Sequence, residues 1–123
     1  MILLDTNILI EVLKNNQNII KTLYNQEDFL AISSITAMEL YFGALNKKEM
    51  KKIEKFLTNF ETIHLSENIS KEAERIIKKY SKSHNLDIPD SLIAATAIVN
   101  SFKLFTLNKK DFNYIDKLKL LEV

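Results

Sequence analysis

Met1-Ile2-Leu3-Leu4-Asp5-Thr6-Asn7 opens the chain with an unbroken apolar run that ends on a carboxylate. A short continuous apolar run bounded by polar residues reads as a strand buried on both faces, the strand type of parallel sheets. Asp5 then stands at its carboxyl end, and in open parallel sheets ligands bind beyond the carboxyl ends of the strands. Two further acids stand in apolar company. Glu39 lies inside Ala31-Ile32-Ser33-Ser34-Ile35-Thr36-Ala37-Met38-Glu39-Leu40-Tyr41-Phe42, and Asp90 opens Pro89-Asp90-Ser91-Leu92-Ile93-Ala94-Ala95-Thr96-Ala97-Ile98-Val99. A carboxylate in apolar surroundings is costly unless it is paired or binds a cation. Three of them point to one shared divalent ion.

Outward from that strand, periodicity predicts a helix from Asn7 to Lys14, capped by Thr6 or Asn7, and a second from Asn18 to Asn25. Phe29 to Ser33 reads as a strand, Ser34 to Leu45 and Lys47 to Asn59 as helices, and Thr62 to Leu65 as a strand. Ser66 to Lys82 is a long amphipathic helix, with Ile69, Ala73, Ile76, Ile77 and Tyr80 on one face. Pro89 belongs in the first turn of the next helix. Lys103 to Thr106 and Leu118 to Glu122 close the chain as strands. This alternation predicts an α/β fold of three layers, α/β/α, around a mostly parallel sheet of about five strands. It gathers Asp5, Asp90, Thr106 and Asn108 at one sheet edge.

The 123 residues fit a single domain, 1–123, with no linker or repeat. There is no cysteine and only two histidines, so a metal site must be built mainly from oxygen donors, which favours Mg²⁺ or Mn²⁺ over zinc. The net charge of +1 excludes a global attraction to nucleic acid. No apolar stretch is long enough for a membrane span, and Asp5 interrupts any signal-peptide core, so a cytoplasmic location is expected. Lys48, Lys51, Lys52 and Lys55 form a basic helix face. Lys109 and Lys110 form a second basic spot. Either could bind nucleic-acid phosphates or be plainly solvated. His64 and His84 fall outside every motif and read as structural or surface residues. Tyr41 and Phe42 read as core or partner-interface residues.

Four segments, in order, carry a family resemblance: Leu4-Asp5-Thr6-Asn7; Glu39-Leu40-Tyr41-Phe42-Gly43-Ala44; Asp90-Ser91-Leu92-Ile93-Ala94-Ala95-Thr96-Ala97; and Thr106-Leu107-Asn108-Lys109-Lys110-Asp111-Phe112. The chain resembles the PIN-domain ribonucleases, and within them the toxins of VapBC toxin–antitoxin pairs. The resemblance implies a Mg²⁺- or Mn²⁺-dependent endoribonuclease that forms a homodimer and is inhibited by a cognate antitoxin. It also implies that Asp5 and Asp90 are metal ligands, that Glu39 is a third catalytic acid, and that Thr6 and Thr106 orient the carboxylates. The family's fourth acid falls at Asn108, an uncharged and weaker ligand, with Asp111 three residues on as the alternative through water.

Each site residue also has a plainer reading. Asp5 and Asp90 could cap helices, Glu39 could lie on a wet helix stripe, and Asn108 and Asp111 could be turn residues. Asn108 also motivates a non-catalytic binding module on the same fold. A housekeeping nuclease without an antitoxin shares all four segments. An aspartyl-phosphate phosphatase, with Asp5 as nucleophile, lacks its second aspartate, because Asn7 stands two residues on.

Overall fold

The computed structural model describes residues Met1–Val123. The elements run β1 (Ile2–Leu4), α1 (Thr6–Leu13), α2 (Gln17–Tyr24), β2 (Leu30–Ser33), α3 (Ser34–Phe42), α4 (Lys47–Leu57), β3 (Glu61–Ile63), α5 (Glu67–His84), α6 (Ile88–Asn100), β4 (Lys103–Phe105) and β5 (Lys119–Leu120). A single 3-10 turn, Lys109–Asp111, follows β4. The five strands form one sheet in the order β3-β2-β1-β4-β5, and every pairing is parallel rather than mostly so. From β1 the chain first builds outward through β2 and β3, then returns to lay β4 on the other side. The strand order reverses between β1 and β4, which is where open parallel sheets leave a crevice.

Alternation along β1 explains the three layers. Leu3 points to one face, where α5 and α6 supply Ile76, Tyr80, Ile93, Ala94 and Ala97. Ile2 and Leu4 point to the other, where α1, α3 and α4 supply Ile8, Leu9, Leu40, Ile53 and Leu57. Leu3, Leu4 and Leu104 are fully buried, as central strands covered on both faces require.

The helix ends differ from the sequence reading in instructive ways. The cap of α1 is Asp5 itself, not Thr6 or Asn7: its Oδ1 accepts from the Thr6 backbone N–H at 2.8 Å. Helix α3 stops at Phe42 because Gly43 is a poor helix former and Asn46 must turn to cap α4, accepting from the Glu49 N–H at 2.8 Å. Helix α6 is capped by Asp87, and Pro89 is its second residue. Strand β4 ends at Phe105, which leaves Thr106 just beyond the sheet edge.

Candidate active site

Strand register builds the site. Leu4 pairs with Phe105, so the chain steps off the sheet side by side at Asp5 and Thr106, in the crevice between β1 and β4. Asp5 is 5% exposed. Its Oδ2 accepts from the Thr106 hydroxyl at 2.7 Å, and its Oδ1 holds the α1 cap. Thr106 in turn accepts from the Asn108 backbone N–H at 3.0 Å and from the Asn7 amide at 3.4 Å. The Asn7 Oδ1 accepts from the Leu107 N–H at 3.3 Å. Asn7 therefore fastens the β4 end to α1, where the phosphatase reading would need a second acid.

Ser33, at the end of β2, caps α3 and fixes where that helix begins. Thr36 and Glu39 are three residues apart on α3 and share a face. The Thr6 hydroxyl donates to Glu39 Oε1 at 2.8 Å. Having spent its one proton there, Thr6 accepts from the Thr36 hydroxyl at 3.0 Å. Glu39 is exposed, yet Thr6 ties it to the residue next to Asp5. Thr36 is fully buried and stands outside the sequence reading. No periodicity marks it, because its role depends on a residue thirty positions away.

Asp90 is half-buried and its carboxylate makes no hydrogen bond or ion pair. Its backbone N–H donates to Asp87 Oδ1 at 2.9 Å, so Asp87 does the capping and the Asp90 side chain is left free. Burial raises the Asp90 carboxyl to about 7, helped by the negative charges of Asp87, Asp5, Asp111 and Glu39. Burial likewise raises Asp5, against the lowering pull of Thr106 and Thr6, with Glu39 and Asp111 adding repulsion. Asp5, Glu39, Asp90 and Asp111 are thus electrostatic neighbours, and Asp87 joins them. Its signal in the sequence is an Asp three residues before Asp90 and two before Pro89, the place of a helix cap.

None of these five acids takes part in any of the seven ion pairs of the molecule. An all-oxygen donor set with no compensating side-chain cation fits a hard divalent ion. No three of the carboxylates are already closed round one point. A cation would therefore take few direct protein oxygens and keep several waters, the habit of Mg²⁺.

Three openings adjoin the centre. One, of about 180 Å³, is lined by His84, Asp87, Asp90, Asp111 and Tyr114, where His84 and Tyr114 stack with ring centroids 4.0 Å apart. His84 thus stands at the edge of the acidic centre, whereas the sequence placed it outside. A second, of about 380 Å³, runs between α1, α3 and α4 past Thr6, Ile10, Leu13, Glu39, Leu40 and Ile53. The third, of about 680 Å³, lies between α2 and the turn after β4. Thr106, Asn108, Lys109, Lys110 and Asp111 are on its wall. Asp111 borders the first and third openings, whereas Asn108 borders only the third. His64 is exposed beside Met38 and Tyr41, away from Asp5 and Asp90. Lys48, Lys51, Lys52 and Lys55 are all solvent-exposed on α4. Tyr41 is half-buried, while Phe42 is 94% exposed.

Fold and site together define an all-parallel α/β domain with uncompensated acids at its topological switch. The family model described as "PIN domain" matches residues 2–118. "Ribonuclease VapC1" of Methanocaldococcus jannaschii is 32% identical, over 97% of this chain and 84% of its own. "Ribonuclease VapC10" of Mycobacterium tuberculosis is 35% identical, over 73% of this chain and 68% of its own. Among solved structures, a "Toxin-antitoxin complex from Klebsiella pneumoniae" is 30% identical with a TM-score of 0.82, covering 100% of both chains. VapBC2 from Rickettsia felis, solved bound to a DNA fragment from its promoter, is 28% identical with a TM-score of 0.85 over 98% of both. The chain belongs to the PIN-domain family, in its VapC branch.

No helix is long and apolar enough to cross a membrane.

Proposed function

We propose that this protein is a Mg²⁺- or Mn²⁺-dependent endoribonuclease, the toxin of a type II toxin–antitoxin pair. The observation that carries the reading is buried Asp5 and half-buried Asp90 at the β1/β4 crevice, with exposed Glu39, Asp87 and Asp111 around them and none of the five in an ion pair. In this reading Asp5 and Asp90 hold the ion, Glu39 helps through the shell around it, and Asp111 supplies the fourth carboxylate. The support for Asp111 is that its charge acts on both Asp5 and Asp90. When bound, the ion lowers the pKa of a water and stabilises charge on the attacked phosphate. Thr106 holds the Asp5 carboxylate by its hydrogen bond to Oδ2, and Thr6, backed by Thr36, holds Glu39. The hydrolysis forms one P–O bond from water and breaks another to a ribose oxygen, which leaves with a proton.

An antitoxin partner and a homodimer belong to the same reading. Support for a protein partner comes from the solved relatives, which are toxin–antitoxin complexes, and from the surface of α1, α3 and α4. Leu13 is exposed at the opening that leads to Glu39, Met38 and Phe42 are exposed on α3, and Leu45 is exposed in the turn before α4. Exposed apolar surface of this kind marks interaction sites.

The test is cleavage of total cellular RNA by the purified protein, with and without Mn²⁺ or Mg²⁺, beside Asp5→Asn. Discrete fragments that need the metal and vanish in the variant are expected. Cleavage undiminished in Asp5→Asn would sink the assignment.

A further inference from the structure

The three openings onto the acidic centre differ in charge, and that difference assigns the path of the substrate. The opening between α1, α3 and α4 carries Glu39 and Glu49 and no lysine. The one beside His84 carries Asp87, Asp90 and Asp111. A polyanion entering either would meet carboxylates only, apart from the exposed His84. The groove between α2 and the turn after β4 is the one that brings ammonium groups, Lys109 and Lys110, up to Thr106 and Asp111. Lys109 is engaged with Glu122 at 3.2 Å, whereas Lys110 makes no ion pair. A free ammonium beside an acidic centre is placed to hold a phosphate next to the one being cut.

The rest of the groove suits an unstacked base. Ile19 gives it an apolar wall, and Leu107 is 47% exposed at its lip. The Asn108 side chain, exposed at the start of the 3-10 turn, makes no hydrogen bond. It thus offers both a donor and an acceptor to a base edge, as recognition of single-stranded RNA requires. At about 680 Å³ the groove lies within the range of ligand pockets, roughly 300–1,000 Å³.

Resting on the nuclease reading above, we propose that this groove holds the single-stranded RNA segment flanking the scissile phosphate. Lys110 contacts its backbone, and Asn108 reads a base. Residue 108 is then a specificity position rather than a lost metal ligand, and α2, through Ile19 and Thr22, helps to set which sequence is cut.

The experiment is binding of a fluorescein-labelled, mixed-sequence single-stranded RNA to the full chain carrying Asp5→Asn, titrated with KCl. Adding Lys110→Ala should make the slope of log K against log salt shallower by about 0.7, the value for one phosphate contact on a single strand. Lys78→Ala, on exposed α5 surface, should leave the slope unchanged. Thr22→Trp, which fills the groove, should weaken binding at least tenfold, with folding checked by its melting curve. If Lys110→Ala and Lys78→Ala give the same slope while the wild type still cleaves RNA, the groove assignment is overturned and the nuclease stands. If the wild type neither binds nor cleaves RNA, the nuclease reading falls and this proposal falls with it.

Discussion

Asp90 and Asp116 are aspartates of one small chain with opposite fates. Asp116 receives the Arg75 guanidinium at 3.1 and 3.2 Å, Lys79 at 3.3 Å and the Tyr80 hydroxyl at 3.3 Å. Chiefly through Arg75, its carboxyl is held down to about 2. Asp90 receives nothing and is raised to about 7. The Tyr80–Tyr114–His84 aromatic stack links the two places: Tyr80 bonds Asp116, while Tyr114 and His84 border Asp90. The fold therefore has the means to neutralise an acid and does not use it at the β1/β4 crevice. Compensated charge of the Asp116 kind clips α5 to the segment before β5. Uncompensated charge of the Asp90 kind costs stability, and the proposed function gives it a use.

The sharpest way to break the comparison is to remove each charge in turn. Asp90→Asn should reduce RNA cleavage more than about 100-fold, above the 10–100-fold typical of losing an outer partner of a metal ligand. Asp116→Asn should leave cleavage nearly intact and lower the melting temperature instead. Equal losses of cleavage would erase the distinction.

Thr106→Val comes next in size. It leaves Asp5 Oδ2 without its donor and should cost about 10–100-fold in cleavage, with a higher metal requirement.

The pH dependence of stability should then have opposite signs at the two places. Asp90 has a folded pKa above its unfolded value, so in metal-free protein its contribution is lost as pH rises from about 4 through about 7. Asp116 has a folded pKa below its unfolded value, so its contribution is present above about pH 4 and is lost as pH falls through about 2. Melting curves in a chelator should show both limbs, with Asp90→Asn reducing the upper one, to which Asp5 also contributes, and leaving the lower one.

The comparison also shows what a sequence can carry. The run Ile2 to Leu4 announces a buried parallel strand, and Asp5, Glu39 and Asp90 announce themselves by standing in apolar surroundings. What periodicity cannot supply is the list of partners. Thr36 matters because it meets Thr6, and Asn7 because it reaches Thr106, ninety-nine residues away. Asp87 was in plain view as a capping residue ahead of Asp90, and it frees the Asp90 side chain. The choice between Asn108 and Asp111 stayed open in the sequence because both lie on one short turn. Only the turn's path shows that Asp111 borders the opening beside Asp90 while Asn108 faces the groove. Of the two capping readings, the one for Asp5 holds and the one for Asp90 does not, because Asp87 takes that place.

The most direct test of the claim that these acids are kept unpaired for a cation is thermal melting with Mn²⁺ or Mg²⁺. It compares the wild type with Asp5→Asn and Asp90→Asn. Ligand at a hundredfold excess over its Kd stabilises by about 2.7 kcal/mol, so the wild-type melting temperature should rise clearly with metal. Both variants should lose most of that rise. A wild type that does not respond, or variants that respond equally, would contradict the account.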